Sequence, residues 1–270
     1  IFFFFFSGKL YAATPVAITK IDIATGLSDA TLEFETLFGA GTTVSDGVLF
    51  AGTLFLATQG QVRVLNPADF SSFGSFNMNQ AFTNPSIAGV GNRLFVSSPD
   101  SGYLEIFDRT NGQSITASTD GEFRFKRMVV EDLGNDQFNL YAANQVGSYF
   151  LRLTIDISDP QNPSYNFGRP SDQGQQNPSG PLSNIAISGD YVLVGELGTS
   201  GNTIVYDKNS LAVFYSVAVP GSEVTGVALD NTYLYAYTKQ GDIYSIDYSG
   251  GGSFDGADVR WARFGALPGA

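Results

Sequence analysis

Short apolar runs broken by polar turns recur along this chain. One run has the form Leu-aromatic-x-Ala or a close variant. It begins at Leu10, Leu54, Leu94, Leu140, Val192 and Leu234. A second run follows each and ends in a polar cap: Asp22, Asn66, Asp108, Asp156, Asp207 and Asp247. A third apolar segment precedes each pair, as in Phe2–Phe6, Ser86–Val90 and Thr225–Leu229. A fourth follows each cap, as in Ala30–Phe34, Ser114–Ser118 and Phe214–Val219. Runs of this length, rich in β-branched and aromatic residues and bounded by turn residues, read as strands.

The first runs start 44, 40, 46, 52 and 42 residues apart. Four strands repeating every ~40–45 residues form a propeller blade. The pattern therefore predicts an all-β fold, a six-bladed β-propeller with four antiparallel strands per blade. It would fill residues 1–270 as a single domain, with blades at about 1–38, 39–80, 81–120, 121–170, 180–220 and 221–266. Turn chemistry agrees. Ser7-Gly8, Gly91-Asn92 and Gly189-Asp190 suit the positive φ of hairpin turns. The recurring Asp or Asn is placed to cap an Asx-turn into the fourth strand, so a structural role is expected for it rather than a catalytic one. The run Ile1–Phe6 reads as the innermost strand of the first blade. Such strands are packed on both faces, so continuous apolarity replaces alternation.

Composition narrows the chemistry. The chain carries 14 basic and 26 acidic residues, a net charge of −12, which argues against nucleic-acid partners. Charged residues are only 15%, so the surface must be largely neutral and polar. There is no Cys and no His. Disulfides, Cys/His zinc sites and His-based triads are therefore excluded. No cofactor is expected, and a metal ion would need oxygen ligands, as Ca²⁺ does. Ile1–Phe6 is too short for a signal-peptide core, and no segment has the ~20 apolar residues of a membrane helix.

Residues 155–163, Ile-Asp-Ile-Ser-Asp-Pro-Gln-Asn-Pro, resemble the Asp-x-Ser-Asp-Pro-x-x-Pro turn of LVIVD repeats. Asp22–Gly26 and Asp108–Gly112 resemble the turns of YVTN repeats. The resemblance to these propellers of bacterial secreted and surface proteins implies the fold. It carries no functional residues over, and it points to an extracellular, cell-surface or periplasmic location.

Propeller ligands commonly sit at the face built by the second-to-third-strand and fourth-to-first-strand loops. Connectivity assigns Thr43, Ser86, Lys126, Arg127, Asn184, Glu223 and Thr225 to the approaches of the first strands. Gln59, Asp100, Asn144, Glu196 and Lys239 fall in the second-to-third loops. Lys126-Arg127 could hold a carboxylate or phosphate, or pair with Asp120, Glu122 or Glu131. The stretch from Gly168 to Leu182 is the longest irregular segment, and Arg169, Asp172, Gln175 and Gln176 are its candidate partner contacts. Ser249–Asp258, and Asp156 with Ser158 and Asp159, could offer oxygen ligands to Ca²⁺.

The leading expectation is a non-catalytic scaffold that contacts proteins or glycans. The alternative is a divalent-cation-dependent hydrolase, lactonase- or phytase-like, using the channel-mouth carboxylates Glu196, Glu223, Asp100 and Glu131. A cofactor-bearing electron-transfer propeller ranks third, lacking the usual haem-ligating residues.

Overall fold

A computed structural model describes residues 2–144, 149–173, 178, 181–197, 202–219, 223–229, 233–239, 242–247 and 259–263. Among the described residues, twenty-four strands form six antiparallel sheets. The first contains β1 (Phe2–Phe6), β2 (Lys9–Ala13), β3 (Ala17–Asp22) and β4 (Ser28–Glu33). The second contains β5 (Asp46–Phe50), β6 (Thr53–Ala57), β7 (Gln61–Leu65) and β8 (Ser72–Asn77). The third contains β9 (Ser86–Val90), β10 (Arg93–Ser98), β11 (Tyr103–Asp108) and β12 (Ser114–Thr119). The fourth contains β13 (Phe125–Gly134), β14 (Gln137–Asn144), β15 (Phe150–Asp156) and β16 (Ser164–Gly168). The fifth contains β17 (Leu182–Ser188), β18 (Tyr191–Glu196), β19 (Asn202–Asp207) and β20 (Val213–Ala218). The sixth contains β21 (Val224–Leu229), β22 (Tyr233–Thr238), β23 (Asp242–Asp247) and β24 (Val259–Arg263).

In every sheet the strands pair in chain order. These are the blades of a six-bladed β-propeller, as the repeat predicts. The Phe2–Phe6 run is β1, paired with β2 from Phe2↔Ala13 to Phe6↔Lys9. Strand ends depart from the pattern in several blades, most clearly in the first and the fourth. The fourth strand of the first blade stops at Glu33, and Phe34–Phe38 forms a short helix, α1. Spacing of i, i+4 lets Phe34 and Phe38 stack with centroids 5.8 Å apart, which a strand would forbid. β13 starts at Phe125, so Lys126 and Arg127 lie within a strand and not in a loop before it.

Packing divides the chain into two compact units, residues 1–126 with 160–162 and residues 127–159 with 163–270. In the first unit, Tyr11, Phe34, Leu54, Leu65 and Phe70 make one core cluster. Phe55, Phe82, Leu94, Val96, Tyr103 and Phe107 make another. In the second unit, Tyr141, Phe150, Val192, Tyr206 and Leu211 pack together, with the Phe150 and Tyr206 rings 4.8 Å apart. Second strands are buried on both faces: Leu54–Ala57 in β6, Leu94–Ser98 in β10, Leu140–Asn144 in β14 and Val192–Glu196 in β18. Each fully buried large apolar side chain there contributes roughly 1.5–3 kcal/mol.

Five of the six Asp and Asn caps behave as turn chemistry requires, and the turn after Asp247 lies outside the described residues. Asp22 Oδ1 accepts the Thr25 amide, Asn66 Oδ1 the Ala68 amide and Asp108 Oδ1 the Thr110 amide. Asp156 Oδ1 accepts the Ser158 amide, and Asp207 Oδ1 those of Asn209 and Ser210. In four blades the same turn closes with an i+4 amide on the cap's carbonyl, donated by Gly26, Phe70, Gly112 and Leu211. That residue is left-handed in each, with φ of 69°, 60°, 69° and 58°.

Candidate functional site

Thr43, Ser86, Lys126, Arg127, Asn184 and Glu223 lie at the ends of their sheets that carry the second-to-third turns. The fifth position of the Leu-aromatic repeat is polar in every blade: Thr14, Thr58, Ser98, Asn144, Glu196 and Thr238. All but Thr14 are buried. Several lock the turn that follows. Thr14 Oγ1 accepts the Ala17 amide at 3.1 Å, and Thr58 Oγ1 donates to the Gln61 carbonyl at 2.8 Å. Asn144 Nδ2 donates to the Tyr149 hydroxyl, and Glu196 Oε2 accepts from Asn202 Nδ2 at 2.9 Å. The sequence carried a signal for this set, polarity at one repeat position, although only Asn144 and Glu196 stand among the predicted residues.

In the first unit, Thr43 is exposed beside Val44, whose amide is held by the Pro15 carbonyl. Ser86 is buried, and its hydroxyl donates to Asp46 Oδ2 at 2.9 Å. The same oxygen accepts the Ile87 amide at 3.1 Å. Ser86 therefore ties β9 to β5 and does not present its hydroxyl to solvent. Asp46 is a residue that sequence reasoning missed, because a carboxylate opening an apolar strand reads as a solvated turn. Glu105 is another. It is fully buried, and it accepts the Asn79 amide at 3.1 Å and Asn79 Nδ2 at 2.6 Å. Tyr103 beside it has its phenol pushed up to about 12, by burial first and by the Glu105 charge second.

Lys126 ends the first unit and Arg127 opens the second; Lys126 is exposed and Arg127 half-buried. Of their proposed acidic partners, Glu131 binds Lys208 Nζ at 2.5 Å and accepts from the Tyr141 hydroxyl at 3.3 Å. Asp120 Oδ1 accepts the Glu122 amide.

In the second unit, β-bulges shape the starts of two inner strands. β17 shifts register between Leu182 and Asn184, and β21 between Val224 and Gly226. The bulged Ser183 places its hydroxyl against the Gly195 carbonyl at 3.1 Å. A Cβ on Gly195 would stand 2.7 Å from that hydroxyl oxygen and 2.8 Å from Val227, so only glycine fits there. Asn184, next to the bulge, turns its Oδ1 back to the Ile185 amide. Glu223 pairs with Lys239 at 3.1 Å on the exposed surface. Ser183, Asn184 and Glu223 thus each contact a residue of their own unit.

The segment that follows β16 shows a different arrangement. The Arg169 guanidinium lies over the Tyr149 ring, 5.2 Å from its centroid. The Arg169 amide donates to Asp172 Oδ2 at 2.9 Å, which closes the turn into a 3-10 segment at Pro170–Gln173. Asp172 is exposed, while Arg169 and Tyr149 are half-buried. An aromatic ring, a planar cation and a carboxylate thus share one end of the fourth blade. Gln175, Gln176 and the Ser249–Asp258 segment lie outside the described residues. Among the described residues no group of three or more Asp or Glu is arranged to hold a metal ion. At Asp156, Oδ1 is used by the Ser158 amide and hydroxyl and Oδ2 by Gln137. No described helix is long and apolar enough to cross a membrane.

No protein-family profile matches this chain, and no curated protein matches it. Solved structures do. The WD40 repeats of RRP9 align at 11% identity over 89% of this chain and 73% of that one, with a TM-score of 0.64. Hydrazine synthase of Kuenenia stuttgartiensis aligns at 12% identity over 89% and 73%, with a TM-score of 0.62. BamB from Moraxella catarrhalis aligns at 11% identity over 95% and 72%, with a TM-score of 0.52. What they share with this chain is the β-propeller fold. The same fold underlies a WD40 domain and a synthase, so activity must be argued from side chains.

Proposed function

We propose that this propeller is a non-catalytic binding scaffold. It docks a protein or glycan partner through the second-to-third-turn end of its fourth blade, at the cell surface or in an extracellular or periplasmic assembly. The observation that carries the reading is the Arg169–Tyr149 stack with Asp172 beside it. Aromatic rings and Arg are enriched at binding interfaces and at their hot spots. Here they sit where the chain departs most from its own repeat. The resemblance of residues 155–163 to LVIVD turns, and of Asp22–Gly26 to YVTN turns, supports the surface setting.

The hydrolase reading asks for converging carboxylates. Glu196 is engaged with Asn202 and Glu223 with Lys239, each in its own structural pair. That favours binding over hydrolysis. The test is a glycan array and a panel of immobilised extracellular proteins probed with wild type and Arg169→Ala. A ligand that wild type retains and the variant loses by tenfold or more supports the reading. Ligands bound equally by both proteins would overturn the assignment of the site.

A further inference from the structure

β20 is the outer strand of its sheet, in the order β17-β18-β19-β20. Residues Leu211–Val219 read Leu-Ala-Val-Phe-Tyr-Ser-Val-Ala-Val, nine positions without a charge, a proline or a glycine. The other outer strands are composed differently. β4 carries Asp29 and Glu33, and β24 carries Arg260 and Arg263. β8, β12 and β16 are built largely of Ser, Thr, Asn and Gly. Edge strands are ordinarily blunted with charges, prolines or bulges, and an apolar edge lacking them is a template for pairing.

One such device is present and is local. β20 shifts register between its Val213 and Tyr215 pairs, leaving Phe214 as a bulge that leans on Tyr191 with centroids 4.6 Å apart. From Tyr215 to Ala218 the pairing with β19 is regular. Over this stretch Ser216 and Ala218 are exposed, while Tyr215, Val217 and Val219 face the core.

We propose that this regular stretch pairs with the β20 of a second copy of the chain. The strands run antiparallel about a two-fold centred on Val217. That register sets Tyr215 opposite Val219 and Ser216 opposite Ala218. It continues the exposed face of one copy into the exposed face of the other, as an isologous contact requires. A segment with no charge is complementary to itself and offers a charged partner nothing to pair with. Stable interfaces bury about 1,200–2,000 Å² in total. A single added strand falls well short of that, so the dimer is weak and reversible. Each copy carries −12, so screening by salt strengthens it.

The test is sedimentation velocity of wild type, Ser216→Lys and Ala218→Lys over a concentration series, at low and at physiological salt. Both positions are exposed, so thermal unfolding of the variants should match wild type. The expected result is a wild-type dimer that rises with concentration and with salt, and that either lysine shifts to monomer by tenfold or more in dissociation constant. A wild type that stays monomeric at millimolar concentration overturns the proposal. So does a dimer that survives both lysines in folded variants.

Discussion

The Tyr11 hydroxyl donates a 2.9 Å hydrogen bond to the carbonyl of Pro67, the residue that follows the Asn66 turn cap. The same relationship recurs in the second unit, where the Tyr141 hydroxyl reaches the carbonyl of Lys208, the residue after Asp207. Both tyrosines come from a Leu-Tyr-Ala-Ala run, and both are buried. The aromatic position of the repeat therefore links each of these blades to the capped turn of the next. Burial raises the pKa of both phenols, most of all at Tyr141, so each stays a neutral donor.

Tyr11→Phe keeps the ring and removes the bond, leaving the Pro67 carbonyl short of a donor. The expected loss is about 1–2 kcal/mol in urea unfolding. Tyr141→Phe should cost less, because its contacts to Lys208 and Glu131 are longer, at 3.4 and 3.3 Å. Equal or greater loss at Tyr141 would show that the linkage acts by something other than this bond.

The left-handed turn position separates strain from packing. Phe70 and Leu211 adopt it although they carry side chains, and both are buried. Burial of the side chain outweighs the roughly 1–2 kcal/mol of the conformation. Phe70→Ala keeps the strain and loses the packing, so a loss of about 3–5 kcal/mol is expected. Gly26→Ala meets open space and should cost only about 1 kcal/mol. Gly112→Ala should cost distinctly more than Gly26→Ala, because its Cβ would lie 2.1 Å from the Phe76 ring. Denaturation midpoints for the three variants check the order.

Acid should weaken the fold through its turn caps. The Lys9 ammonium, helped by the Thr25 amide, pulls the Asp22 carboxyl down to about 2. Hydrogen bonds from Ser71, Thr110, Ser158 and Ser210 lower Asp69, Asp108, Asp156 and Asp207. A depressed native pKa gives stability that is present above the ordinary carboxylate value and lost as pH falls through the native one. Stability should therefore be flat above about pH 5 and decline between about pH 4 and 2. Asp22→Asn should remove part of that slope in a pH series of urea midpoints; an unchanged slope would contradict the assignment.

The strands and their caps were legible in the sequence because each repeats six times with the same chemistry. Lone features were not. Glu105 alternates with Tyr103 and Phe107, so the period places it on their face, but strands buried on both sides make that face look no different from the other. Asp46 is legible only with Ser86 in view, forty residues away in the chain. α1 is short enough for Phe34 to read as the last residue of a strand. The Arg169–Tyr149 stack joins residues from either side of β15 and β16, and only the fold brings them together.

Glu105 offers a test of the first unit's buried polar chemistry. Glu105→Ala takes the acceptor from the Asn79 amide, leaves Asn79 Nδ2 with Ser114 Oγ, and opens a cavity. A loss of about 2–4 kcal/mol is expected. Glu105→Gln, which keeps an acceptor, should recover part of it; equal losses would assign the effect to volume alone.

On the proposed function, the polar residues at the second-to-third-turn ends serve structure and binding, not hydrolysis. The most direct measurement is a calorimetric Ca²⁺ titration paired with turnover assays on lactone and phosphate-ester substrates. The expected result is no saturable Ca²⁺ heat and no turnover. Stoichiometric Ca²⁺ binding with turnover, both abolished by Glu196→Gln in a protein that remains folded, would contradict it.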